Sequence, residues 1–167
     1  MLVRLACALL LLTATAAALA APAGAEKPIR GPAESPSSLD FPAGMVCDFA
    51  VHAEALVNRQ TETIFSSGKV LYTGYFESLV AANGNELRLN TSGPTRLTPE
   101  GDLLRVTSGG PLLIFFFPGD AGPGDTTKGR TYVVYGYTTF LVDPQTFVFL
   151  EFETKGSLTD VCALLAP

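Results

Sequence analysis

The chain has 167 residues, 47% of them hydrophobic, and a formal net charge of −5. That length supports one domain with a core of its own. Its basic residues are scattered singly, which argues against nucleic acid, whose phosphates demand a clustered positive footprint, and against anionic membrane surfaces.

Met1 to Ala25 has the three parts of a secretory signal. Arg4 supplies the positive start, Leu5 to Leu12 the apolar stretch, and Ala23-Gly24-Ala25 the small-residue cleavage site, with an alternative cut after Ala20. The apolar stretch is too short for a membrane span of ~20 residues. Cys7 sits before that stretch is complete, so lipidation there is not expected. The mature chain is expected to be secreted and extracellular. Residues 26–44 read as a tether, because Pro28, Pro32, Pro36 and Pro42 interrupt regular structure and the serines add no apolar surface.

From residue 45 to 167 the chain reads as a single all-β domain. Cys47, Phe49, Val51 and Ala53 alternate with more polar neighbours, the period of a half-buried strand. Further strands are expected at Thr61–Phe65, Lys69–Phe76, Leu87–Leu89, Thr95–Thr98, Leu103–Thr107, Leu112–Phe117, Thr131–Val142 and Thr146–Thr154. Turn residues separate them, and Asn83-Gly84 is a strong hairpin signal. About eight antiparallel strands at this spacing predict a barrel-like domain, with a β-sandwich as the alternative. At the end, Ser157 and Asp160 offer a weak capping box for a short helix over Val161 to Leu165, with a terminal strand as the competing reading.

Two runs break the alternation. Leu112 to Phe117 and Phe147 to Leu150 are apolar on both faces, so each needs cover on both sides, from within the chain or from a partner. With the leader removed, two cysteines remain, Cys47 and Cys162, one at each end of the domain. In an exported protein they are expected to form a disulfide.

Candidate chemistry is sparse. His52 is the sole histidine. Asp48 shares its strand face but lies about 13 Å away at ~3.3 Å per residue, outside hydrogen-bond reach. Glu151 and Glu153 are paired on one strand face and could serve acid–base chemistry on a glycoside; the alternation with Phe152 and Thr154 also reads as a plain wet face. No nucleophile elbow, P-loop or EF-hand spacing is present, and one histidine without free thiols leaves no zinc site of the usual kind. No metal or cofactor is therefore expected. The longest core loop, Pro118 to Arg130, reads first as a hairpin connection, next as a recognition loop with Asp120, Asp125, Lys128 and Arg130 as its binding residues, and last as a metal loop in which Asp120 and Asp125 help hold calcium without the EF-hand pattern.

Cys47-Asp48-Phe49, Asn90-Thr91-Ser92-Gly93-Pro94, Gly129-Arg130 and the closing Asp160-Val161-Cys162-Ala163-Leu164-Leu165 resemble a layout found in small exported actinobacterial proteins, a two-cysteine all-β family. The motifs that carry the resemblance are cysteines, turns and strand ends, so it brings no catalytic residues with it.

These features lead to a secreted, non-enzymatic β-domain that binds a small apolar ligand or an envelope or extracellular protein partner. The alternative is a barrel-type isomerase or cyclase, or a hydrolase using Glu151, Glu153 or His52. Convergence of these groups on one pocket would favour the enzyme. Oligomeric state is left open.

Overall fold

The computed structural model describes residues 26–167; the expected leader over 1–25 lies outside the described residues. Ten strands form one antiparallel sheet: β1 (Ile29–Pro32), β2 (Ser38–Phe41), β3 (Val51–Ile64), β4 (Val70–Ala82), β5 (Asn85–Asn90), β6 (Thr95–Glu100), β7 (Leu103–Gly109), β8 (Leu112–Phe116), β9 (Arg130–Val142) and β10 (Phe149–Asp160). A single helix, α1 (Val161–Leu165), follows. The β4–β5 hairpin turns at Asn83 and Gly84, both at positive φ, as the sequence dipeptide predicts.

Three long strands organise the sheet, and each carries two short neighbours end to end along one edge. β3 pairs with β1 and β2, β4 with β5 and β6, and β9 with β7 and β8. Each long strand deforms between its two neighbours. In β3 the register shifts between Ala55 and Val57, a bulge. In β4 and β9 the break falls at Gly74 (φ 121°) and Gly136 (φ 123°), a backbone region that side chains rarely adopt. A Cβ at Gly74 would collide with the Arg59 carbonyl, and one at Gly136 would lie 2.9 Å from the Gly156 Cα. These breaks curl the sheet around its contents.

The curl does not close, which corrects the expected barrel. Among the described residues the hydrogen-bonded path runs from β1 and β2 on β3 to β10 on β9, and no ladder joins its ends. Instead of a ladder, α1 packs against β5 and β9, and the irregular segment carrying Val46 and Cys47 joins the same core. The single continuous sheet also differs from a sandwich of two.

The segment 26–44 is not a free tether. β1 and β2 dock on β3, from Ile29↔Ile64 to Pro32↔Thr61 and from Ser38↔Glu54 to Phe41↔Val51. Its prolines are no obstacle, because Pro32 ends an edge strand and Pro36 and Pro42 fall between elements, where a missing N–H breaks no ladder. Of the two strands expected at Cys47–Ala53 and Thr61–Phe65, Val51–Ala53 and Thr61–Ile64 lie in the single long strand β3, paired with β4 across the bulge between Ala55 and Val57, whereas Cys47 to Ala50 are irregular chain before it.

Two clusters make up the core, and β8 divides them. Leu113 and Phe115 point into a cluster with Phe41, Val80, Val133, Val161 and Leu165; the Phe41 and Phe115 ring centroids are 4.8 Å apart. Ile114 and Phe116 point into the other, with Val134, Phe140, Phe149 and Phe152. The two-sided apolar run of β8 is thus covered on both faces from within the chain. The run Phe147 to Leu150 is not: a bulge between Phe149 and Glu151 turns Leu150 outward, and Phe147 is 71% exposed.

Cys47 and Cys162 form the expected disulfide, with Cα atoms 5.6 Å apart across a sequence separation of 115. Beside it, the Thr131 hydroxyl donates to the Val46 carbonyl at 3.0 Å. The cap of α1 is Asp160, whose carboxylate accepts from the Ala163 N–H at 3.0 Å. Ser157, the expected cap, lies within β10. No helix among the described residues is long and apolar enough to cross a membrane.

Replacing both Cys47 and Cys162 by alanine is expected to lower unfolding stability by about 4–5 kcal/mol, the loop-entropy value for a link this long, measured by denaturant titration against the oxidised protein. In the same assay Gly136→Ala is expected to lose at least about 2 kcal/mol, since the left-handed backbone and the Gly156 contact both oppose a Cβ.

Candidate functional site

The β3 bulge decides which side chains face the hollow of the curled sheet. Before it, Val51, Ala53 and Ala55 point inward; after it the parity flips, so that Asn58, Gln60 and Glu62 stand opposite Phe76, Gly74 and Tyr72 of β4. The hollow contains a cavity of about 350 Å³. Ala53, Ala55 and Ser78 leave the space, while Leu39, Phe76, Leu112, Leu113 and Phe115 form apolar walls. Glu34, Ser35 and Pro36, between β1 and β2, pass along its rim.

This rim segment is held to β3 at several points. The Ala33 N–H donates to the Gln60 carbonyl at 3.0 Å, and the Ala55 N–H to the Ser37 carbonyl at 2.9 Å. The Asn58 amide donates to the Ala33 carbonyl at 2.9 Å and to the Ser35 hydroxyl at 3.2 Å. The N-terminal segment is therefore a wall of the cavity as well as a sheet edge.

Polar groups enter at defined points. The Tyr72 hydroxyl donates to Glu62 Oε1 at 2.6 Å, across directly paired positions. Burial, followed by that hydrogen bond and the Glu62 charge, pushes the Tyr72 phenol up to about 12. Ser78 and Thr91 share a buried hydroxyl–hydroxyl bond of 3.1 Å. Thr95 donates to the Gly93 carbonyl or the Ser108 hydroxyl, each at 3.2 Å. The Ser92 hydroxyl, 2.8 Å from the Phe76 N–H and 3.1 Å from its carbonyl, satisfies β4 where β5 gives way to β6.

The residues singled out in the sequence lie elsewhere. His52 is on the other face of β3, where its Nδ1 is 2.7 Å from Asp40 Oδ1 and its Nε2 is 4.0 Å from Glu54. The acid partner is thus Asp40, its cross-strand neighbour on β2, and not Asp48. Both border a second, more open depression with Pro42, Ala50 and Ala81. Glu151 accepts from Arg105 Nη1 at 2.6 Å, and the same guanidinium bonds Glu100 at 3.0 and 3.1 Å. Arg105 holds the Glu100 carboxyl below the usual range. Glu153 is exposed on β10. Neither carboxylate of this pair borders the cavity, and neither meets His52.

The loop residues do come together, but tightly. Asp120 is buried and accepts from the Phe117 N–H at 2.7 Å and the Phe149 N–H at 2.9 Å, clamping the end of β8 to the start of β10. Asp125 accepts from the Thr127 hydroxyl at 2.6 Å and its N–H at 3.0 Å, which lower its carboxyl. With Lys128 and Arg130 they border a space of about 10 Å³, room for roughly one water. Arg130, which lines it, has its Nε buried without a hydrogen-bond partner.

No protein-family model, curated protein or solved structure matches the chain. Gln60, which lines the cavity, was not apparent from the alternation at the start of β3, because the bulge reverses it. The available signal was Ala55-Leu56-Val57, three apolar residues in a row within an otherwise alternating strand.

Tyr72 is expected to ionise near 12, followed through the ring-carbon NMR shift, with Tyr72→Phe identifying the signal. Because its folded-state value is raised above the ordinary 10, its contribution to stability is complete below 10. That contribution falls as pH rises through 10 towards 12.

Proposed function

We propose that this chain is a secreted, non-enzymatic β-domain that binds a small apolar ligand in the cavity between β3, β4, β8 and the β1–β2 segment. The observation that carries the reading is the cavity itself. At about 350 Å³ it falls within the range of small-molecule sites, and its walls are apolar with a few convergent polar groups. Export is supported by the three-part leader, by the resemblance to exported actinobacterial two-cysteine proteins, and by the disulfide, which persists in oxidising compartments.

A reading as an envelope- or protein-binding module draws on one observation, the exposed apolar stretch of Phe147, Val148 and Leu150. The hydrolase and barrel-type isomerase readings draw on no convergence of His52, Glu151 and Glu153, since the histidine is paired with Asp40 and Glu151 with Arg105. The geometry supports the small-ligand reading best.

Ala55→Phe places an aromatic ring in the cavity. It is expected to weaken binding of the neutral apolar dye N-phenylnaphthylamine at least about tenfold, with the thermal unfolding midpoint unchanged or raised. Full retention of dye binding in a folded variant would place the apolar site elsewhere.

A further inference from the structure

The walls of the cavity differ in what holds them. β3, β4 and β8 meet it with residues backed by the core, among them Ala53, Ser78 and Leu113. The wall supplied by the β1–β2 segment has no such backing. From residue 26 to 40 every residue except Gly31 and Ala33 is exposed, and Ile29 is 72% exposed. Burial of apolar surface is the main driving force for keeping a segment folded. This one is held on β3 chiefly by the bonds of two four-residue ladders, which water can replace. That changes at its end. Phe41 is buried, its ring centroid 4.8 Å from that of Phe115 and 6.1 Å from that of Phe117, and the neighbouring Asp40 is 2.7 Å from His52 Nδ1. One side chain of β3 ties the middle of the segment. The Asn58 amide donates to the Ala33 carbonyl and the Ser35 hydroxyl, while its Oδ1 accepts from the Gln60 N–H at 3.0 Å.

Building on the small-ligand reading above, we infer that residues 29–39 form a strap that lifts from β3 to admit a ligand and closes over it, with Phe41 as its anchor and Asn58 as its latch. Lifting breaks the two short ladders and the Asn58 bonds but uncovers little apolar surface, whereas moving β4 or β8 would open the core. Pro32 and Pro36 fix φ on either side of Ala33 to Ser35, so the connection moves as one piece. A guest lying against Pro36 and Leu39 supplies the apolar contact that the strap lacks, so binding favours the closed state.

Native-state hydrogen exchange and stopped-flow binding of N-phenylnaphthylamine to the full exported chain test this together. The Ala33 and Ala55 amides bond across the strap and β3. They are expected to exchange at least about a hundredfold faster than the amides joining β3 to β4, and to slow when the dye is bound. The observed binding rate is expected to level off with rising dye, at the rate of strap opening. Asn58→Asp keeps the acceptor for the Gln60 N–H and removes both donors to the strap. It is expected to raise the plateau and the exchange of those two amides about fivefold or more, the worth of one hydrogen bond, with the β3–β4 amides unchanged. A binding rate that climbs linearly with dye, or Ala33 and Ala55 amides as slow as those of the β3–β4 ladder, would overturn the gate and leave the apolar site standing. Dye that fails to bind would overturn the ligand reading and the gate with it, whatever the exchange rates.

Discussion

A sheet built on strands of thirteen and fourteen residues curls over its contents only where those strands bend. β4 and β9 meet this demand at Gly74 and Gly136, and β3 meets it with a bulge. In each case the bend falls where one short strand gives way to the next. A side chain at either glycine would enter backbone that is already in place, so the residue type and the sheet curvature are the same constraint.

The cavity is a by-product of that geometry. Where β5 leaves β4 and β6 takes its place, the Ser92 and Thr95 hydroxyls bond the backbone of Phe76 and Gly93, and the Thr91 hydroxyl bonds that of Ser78. Next to that level the inward residues of β3 and β4, Ala53, Ala55 and Ser78, are small, and β8 faces them with leucine and phenylalanine. Space remains because Ala53, Ala55 and Ser78 do not reach the opposite wall. The β1–β2 segment then encloses it, tied to β3 by backbone bonds and by the Asn58 amide.

Much of this could be read in advance. The two-cysteine span forecast the link between the start and the end of the domain, the Asn83-Gly84 dipeptide its hairpin, and the two-sided apolar run of β8 a strand buried on both faces. These are local or pairwise signals, in which composition or a turn conformation constrains the answer directly. The Phe147–Leu150 run used the same logic and came out differently, because the bulge after Phe149 rotates Leu150 to solvent. The prolines of residues 26–44 pointed to a tether, yet edge strands accommodate them. His52 and Glu151 have hydrogen-bond partners on other strands, Asp40 and Arg105, and only strand register identifies those partners.

By itself the sequence determined the all-β class, the antiparallel hairpins and the disulfide partners, since each rests on residue type, period or count. The tertiary structure alone decided that the sheet stays open, that the N-terminal segment is a cavity wall, and that Gln60 and Glu62 stand on the same face of β3 as Ala53. The physical reason is parity. One extra residue in β3 exchanges the two faces of everything after it, and whether a strand accommodates that residue depends on the ladder beside it.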